Sequence, residues 1–128
     1  MTRTKTLLFA CTLAAAIFGA GVLVGANRFG TPNSVLHVIT VKWKSDATQD
    51  QKTAALDGVR KMASEISGIK NIWLKTLKVQ PRDYNAAIVM EFKDKAAFDA
   101  YTNDPAHKAW EKIYLPIREE STTHDITN

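Results

Sequence analysis

Polar and apolar positions alternate with two periods along this chain, and the switches between them mark its elements. Residues 35–44, VLHVITVKWK, place Val35, His37, Ile39, Val41 and Trp43 on one side of a strand, apolar except for His37. The other side, Leu36, Val38, Thr40, Lys42 and Lys44, starts apolar and ends wet. Thr48 with Gln51 three residues on forms a capping box, with Asp46 and Asp50 adding negative charge at a helix start. That helix runs to about Ile66, with Ala55, Val59, Met62 and Ile66 inward, and Ser67-Gly68 ends it. Gly58 inside it costs roughly 1 kcal/mol against alanine, so it marks a close contact or a gap.

A second strand is predicted over residues 69–80, a turn over 81–85, and a third strand over 86–92. The third strand is apolar on both sides: Ala86, Ile88, Met90 and Phe92 on one, Ala87 and Val89 on the other. A sheet covered by helices on one side has no use for that second apolar surface. In so short a chain its cover is a second copy, so a homodimer is expected. Asp94 caps a short helix carrying Phe98 and Tyr101. Asp104 before Pro105 then opens the helix around which the chain is organised, since Asp caps the orphan amides and Pro fits the first position. Trp110, Ile113, Tyr114 and Ile117 recur as its inner stripe, and Pro116 bends or ends it near Leu115. A polar strand, residues 121–126, closes the chain. The order β-α-β-β-α-α-β is a ferredoxin-like α+β arrangement.

The N-terminus has a different character. Arg3 and Lys5 precede residues 7–26, an uncharged and mostly apolar run. This is the pattern of a secretory signal, with Val24-Gly25-Ala26 before a candidate mature start at Asn27. Twenty apolar residues also suffice to cross a bilayer, and Gly21 and Gly25 form a G-x-x-x-G pair, so a retained anchor is the alternative. Under both readings the folded part is addressed outside the cytoplasm, and membrane contact is confined to this segment. Cys11 follows too few apolar residues for a lipoprotein signal, which needs an apolar stretch of roughly 7 to 15. No cysteine follows Asn27, so the exported part holds together without disulfides. Residues 27–34, with Gly30, Pro32 and Asn33, read as a linker, and 35–128 as one domain.

Charge narrows the function only slightly. Removing residues 1–26 takes away Arg3 and Lys5 and no acid, which lowers the net charge from +4 to +2. No basic run with interleaved aromatics is present, which argues against nucleic-acid binding. His37, His107, His124, Asp104 and Asp125 are of metal-ligand type, yet no pair has the short spacing of a zinc site. Neither a metal nor a cofactor is expected. His107 falls in the first turn of its helix, where the partial positive charge of the amides disfavours the protonated imidazole. A neutral imidazole suits a general base that takes a proton from a carbon beside a carbonyl; packing at a helix start is the plainer role. Tyr101 is either a hydrogen-bond donor to a carbonyl or a core-edge residue. His37, alone on an apolar strand face, needs a partner, structural or in a shared site with His107 and Tyr101.

The strand LHVITVKWK, the capped helix after it, the Asp-Pro-Ala-His element, the Leu-Pro-Ile close of the last helix and the terminal His-Asp-Ile strand resemble the stress-responsive dimeric α/β-barrel (Dabb) family over residues 35–126. The resemblance implies a homodimer whose two sheets close a barrel. Within that family, plant polyketide cyclases carry out a cofactor-free aldol condensation and ring closure. Their catalytic histidine matches His107, a tyrosine six residues earlier matches Tyr101, and a first-strand histidine matches His37. Two positions depart from the cyclases: Asp104 stands where they can have a second histidine, and Val59 where they have a pocket tyrosine. The expectation is an exported dimer that binds a small, largely apolar molecule, acting as a cyclase or aldol-type enzyme with His107 as base, Tyr101 as donor and His37 orienting or polarising. The alternative is a non-catalytic structural or binding module.

Overall fold

A computed structural model describes residues 30–128. The expected signal or anchor over residues 1–26 lies outside them. The elements are β1 (Val35–Trp43), α1 (Gln49–Glu65), β2 (Ile69–Trp73), β3 (Ala86–Phe92), α2 (Lys95–Tyr101), α3 (Pro105–Tyr114), a 3-10 turn (Leu115–Ile117) and β4 (Arg118–Ile126). The strands form one antiparallel sheet in the order β2-β3-β1-β4. β1 and β2 are therefore not neighbours, nor are β3 and β4, and each pair is joined through helices across an intervening strand. This is the interleaved β-α-β topology of the ferredoxin-like α+β fold.

The predicted caps account for the helix starts. The Thr48 side chain accepts from the amide of Gln51, and the Gln51 side chain reaches back to the Thr48 amide. Asp94 accepts from Ala97, and Asp104 from Ala106, with Pro105 at the start of α3. On β1 and β3 the residues alternate between buried and half-buried. Val35, Ile39, Val41 and Trp43 meet Ile88, Met90 and Phe92 on the helix side, and Ala55, Val59 and Met62 of α1 complete the core. The other side, with Leu36, Val38, Ala87 and Val89, stays half-buried. Register sets Val38 opposite Val89 and Thr40 opposite Ala87 there.

Gly58 marks a close contact. A Cβ on it would stand 2.8 Å from Cδ1 of Trp110, which lies across α1 at that point. A Cβ on Gly68 would stand 2.7 Å from that of Ala97, so the turn after α1 also packs tightly.

Two boundaries and one buried position differ from the sequence reading. β2 stops at Trp73 instead of continuing to residue 80, because the side chain of Thr76 takes over from the ladder: its Oγ1 accepts from the Ala87 amide at 2.8 Å and donates to the Ala87 carbonyl. β4 begins at Arg118 rather than at Ser121, since β1 offers partners from Leu36 to Trp43. Ile113, expected inward, is 43 % exposed; Trp110, Tyr114 and Ile117 alone carry the stripe.

Candidate functional site

β1, β4, α2 and α3 converge on a cavity of about 140 Å³ whose walls include His37, Tyr101, His107, Trp110, Tyr114 and Arg118. All three residues singled out in the sequence line it. Each arrives by a different local rule. His37 takes its place from the alternation of β1, Tyr101 from the last turn of α2, and His107 from the Asp104-Pro105 entry that starts α3 three residues earlier. Tyr101 stands in contact with both imidazoles, its ring centroid 4.1 Å from that of His107 and 5.6 Å from that of His37. Phe92 and Phe98 pack around the His37 and Tyr101 rings, and Trp110 stacks on Tyr114 at 4.5 Å, so the walls are largely aromatic.

The hydrogen bonds fix which imidazole nitrogen is available. Nδ1 of His107 lies 3.2 Å from the carbonyl oxygen of Thr102. A carbonyl only accepts, so Nδ1 carries the proton and Nε2 holds the lone pair in the neutral ring. Nε2 has the Glu111 carboxylate at 3.9 Å, one helical turn on. Nδ1 of His37 donates to Asp125 Oδ1 at 2.5 Å, and Asp125 is its directly opposed residue on β4. The partner that His37 needs is thus an edge-strand carboxylate, and Tyr101 meets it by ring contact.

The two tyrosines are held differently. Tyr101 and Tyr114 are each 3 % exposed, and their hydroxyls are the buried side-chain polar atoms without a hydrogen-bond partner among the described residues. Burial pushes the Tyr101 phenol well above its ordinary value, and the charges of Glu111 and Asp125 add to that rise. Burial also raises Tyr114, but Ser121 and Arg118 beside it pull partly back. Both phenols therefore stay protonated near neutral pH and remain hydrogen-bond donors.

Sequence reasoning gave Glu111 and Arg118 no place in the site and weighed Asp125 only as a residue of metal-ligand type. Glu111 was open to discovery, since it stands four residues after His107 on one helix. Asp125 and Arg118 depend on the register of β4 against β1, for which the polar strand carries no periodic signal. Val59, where the cyclases have a pocket tyrosine, is fully buried in the core below α1. Among the described residues no three His, Cys, Asp or Glu side chains come together as metal ligands.

No curated protein matches the sequence. Among solved structures, a dimeric ferredoxin-like protein of unknown function from Thermobifida fusca is 21 % identical with a TM-score of 0.66, over 80 % of this chain and 97 % of its own. A Dabb family protein with a ferredoxin-like fold from Mesorhizobium loti is 23 % identical with a TM-score of 0.64, over 74 % and 96 %. A hydroxynitrile lyase from Passiflora edulis is 17 % identical with a TM-score of 0.68, over 74 % and 93 %. At these identities the likeness is one of fold. The family model of the Stress responsive A/B Barrel Domain matches residues 35–128, the whole of the sheet and its helices, and the chain belongs to that Dabb family.

Proposed function

We propose that this is an exported, homodimeric Dabb protein that binds a small, largely apolar molecule in the cavity and catalyses cofactor-free carbanion chemistry of the aldol or cyclase type. The observation that carries the reading is the Tyr101 hydroxyl: 3 % exposed, without a partner among the described residues, in a cavity whose two imidazoles have both Nδ1 atoms tied back. A buried donor left unmet is costly unless a ligand meets it.

In this reading Nε2 of His107 removes a proton from a carbon next to a carbonyl, and the C–H electron pair moves onto the carbonyl oxygen. The Tyr101 hydroxyl donates to that enolate oxygen. Glu111, 3.9 Å from Nε2, stabilises the imidazolium that forms. His37, oriented by Asp125, polarises or positions the second reacting group. The enolate carbon then adds to a carbonyl, and the imidazolium returns its proton to the new alkoxide, so the base is regenerated.

The test is deuterium exchange into butanone in D2O, followed by proton NMR with the full chain. Wild type should accelerate exchange beside the carbonyl, and His107→Gln should lose that acceleration by about 10² or more, the usual worth of a positioned base. No acceleration by wild type would overturn the catalytic reading. One observation favours the alternative, a non-catalytic binding or structural module. The indole of Trp110, fixed by a 2.9 Å hydrogen bond to Ala55, fills part of the gap and leaves about 140 Å³, below the roughly 300 Å³ at which ligand sites commonly begin.

Two supports stand behind dimerisation: the half-buried apolar side of the sheet, and relatives described as dimeric. Export rests on the apolar run after Arg3 and Lys5. Mass spectrometry of the N-terminus checks it. A start at Asn27 in the exported fraction means cleavage, an uncut chain in the membrane fraction means an anchor, and an uncut chain in the cytosol sinks the proposal.

A further inference from the structure

We infer that the cavity takes a small carboxylate, its anionic oxygens held by Arg118, Tyr114 and Ser121 and its carbon chain directed toward Tyr101 and His107. This rests on the reading of the cavity as a small-molecule site and names the class of molecule.

Arg118 opens β4 directly after the 3-10 turn, half-buried and opposite Trp43. Its Nη1 donates to Ser121 Oγ at 3.2 Å, and its Cζ lies 5.6 Å from the centre of the Tyr114 ring. Among the described residues no carboxylate is within ion-pairing distance of the guanidinium. The acids that follow it are engaged elsewhere, Glu119 with Lys42 at 2.9 Å and Glu120 beside Tyr84. A guanidinium has five N–H donors, and one of these is used. Ser121 accepts that bond and keeps its own proton to donate. Among the described residues the Tyr114 hydroxyl, 3 % exposed, makes no hydrogen bond of good geometry, while Ser121 and Arg118 stand close enough to favour its ionised form. Three donors thus line one end of the cavity around a fixed positive charge, which is the surrounding a two-oxygen anion requires.

Two carboxylates stand at the other end, each with a partner: Glu111 takes Lys108 at 3.1 Å, and Asp125 takes His37. Glu111 and Asp125 act on the Tyr101 hydroxyl and hold its proton on, whereas Arg118 acts on Tyr114 in the reverse sense. Among the described residues an anion finds an unpaired positive charge at the start of β4 and none beside His107, where the carboxylates already have partners, so Arg118 orients the ligand. Size limits it further. A cavity of about 150 Å³ in another protein holds benzene, so about 140 Å³ suits a ligand of roughly six heavy atoms.

The experiment compares butanoate with butanamide, which have the same heavy-atom count and shape but differ in charge, by NMR titration of the full chain. Butanoate should bind at least about 10-fold more tightly, as charge-assisted hydrogen bonds are roughly twice as strong as neutral ones. Arg118→Gln should abolish the preference, Arg118→Lys should keep part of it, and Tyr114→Phe should weaken butanoate several-fold with little effect on butanamide. Equal affinities in wild type, no binding of either probe, or a preference that survives Arg118→Gln would each overturn the inference. The wild-type comparison stands whatever the variants do to folding. Exchange of butanone without a carboxylate preference would sink this inference alone, and a carboxylate preference without exchange would sink the catalytic reading alone.

Discussion

The indole nitrogen of Trp110 donates to the main-chain carbonyl of Ala55 at 2.9 Å, which ties α3 to α1. The same edge of the ring then meets Gly58, three residues further along α1, and a face stacks on Tyr114 in the cavity wall. One side chain therefore joins the packing of two helices to the shape of the site.

Gly58→Ala should expose that dependence. Alanine favours a helix by about 0.5–1 kcal/mol, but its Cβ would stand 2.8 Å from a ring anchored on both sides. Overpacking of this kind costs about 1–3 kcal/mol. A net loss of about 1 kcal/mol in urea unfolding is expected, and a more stable variant would show that the indole can yield.

Tyr101→Phe should separate stability from function. Removing a buried hydroxyl with no partner leaves the protein as stable as wild type or about 1 kcal/mol more so, while the proposed exchange activity falls. The alkaline limb should change too. The folded phenol is raised above its unfolded value, so its contribution is fully present below pH of about 10 and is lost as the pH rises further. Circular dichroism from pH 8 to 12 should show a shallower loss in Tyr101→Phe, and identical curves would contradict the burial argument.

At the acid end Glu91 is the group to follow. Hydrogen bonds from Asn71 and Ser34, with Lys70 nearby, hold its carboxyl below the ordinary glutamate value. A depressed carboxyl stabilises above its unfolded value, and that contribution fades as pH falls through the folded one. Glu91→Gln should flatten the acid limb of a stability–pH curve. An unchanged limb would place the cause elsewhere.

If two copies pair through the open side of the sheet, Val38→Lys sets like charges against each other at its centre, where Val38 faces Val89. Light scattering of the full chain should then report a dimer for wild type and a monomer for the variant. A monomeric wild type would remove the reason offered for the two-sided apolar pattern of β3.

Much of this protein is local and so could be read from its sequence. Caps at Thr48, Asp94 and Asp104 depend on side chains reaching amides two or three residues away. The faces of β1 and β3 depend on a period of two, which also brought His37 to the helix side. What sequence could not supply was register between distant segments. The pairing of β4 with β1 puts Asp125 against His37 and Arg118 at the cavity end, residues 88 apart in the first case. A polar edge strand has no apolar side to dictate that alignment, so the paired backbone decides it. The same holds for Ile113: the helical repeat placed it inward, but with Trp110 and Tyr114 buried it lies at the edge of the α1–α3 contact, its Cδ1 near Gly58, and is 43 % exposed. Sequence determined the elements and the histidines; tertiary structure decided which charges face them, because opposing charges meet only after the strands have paired.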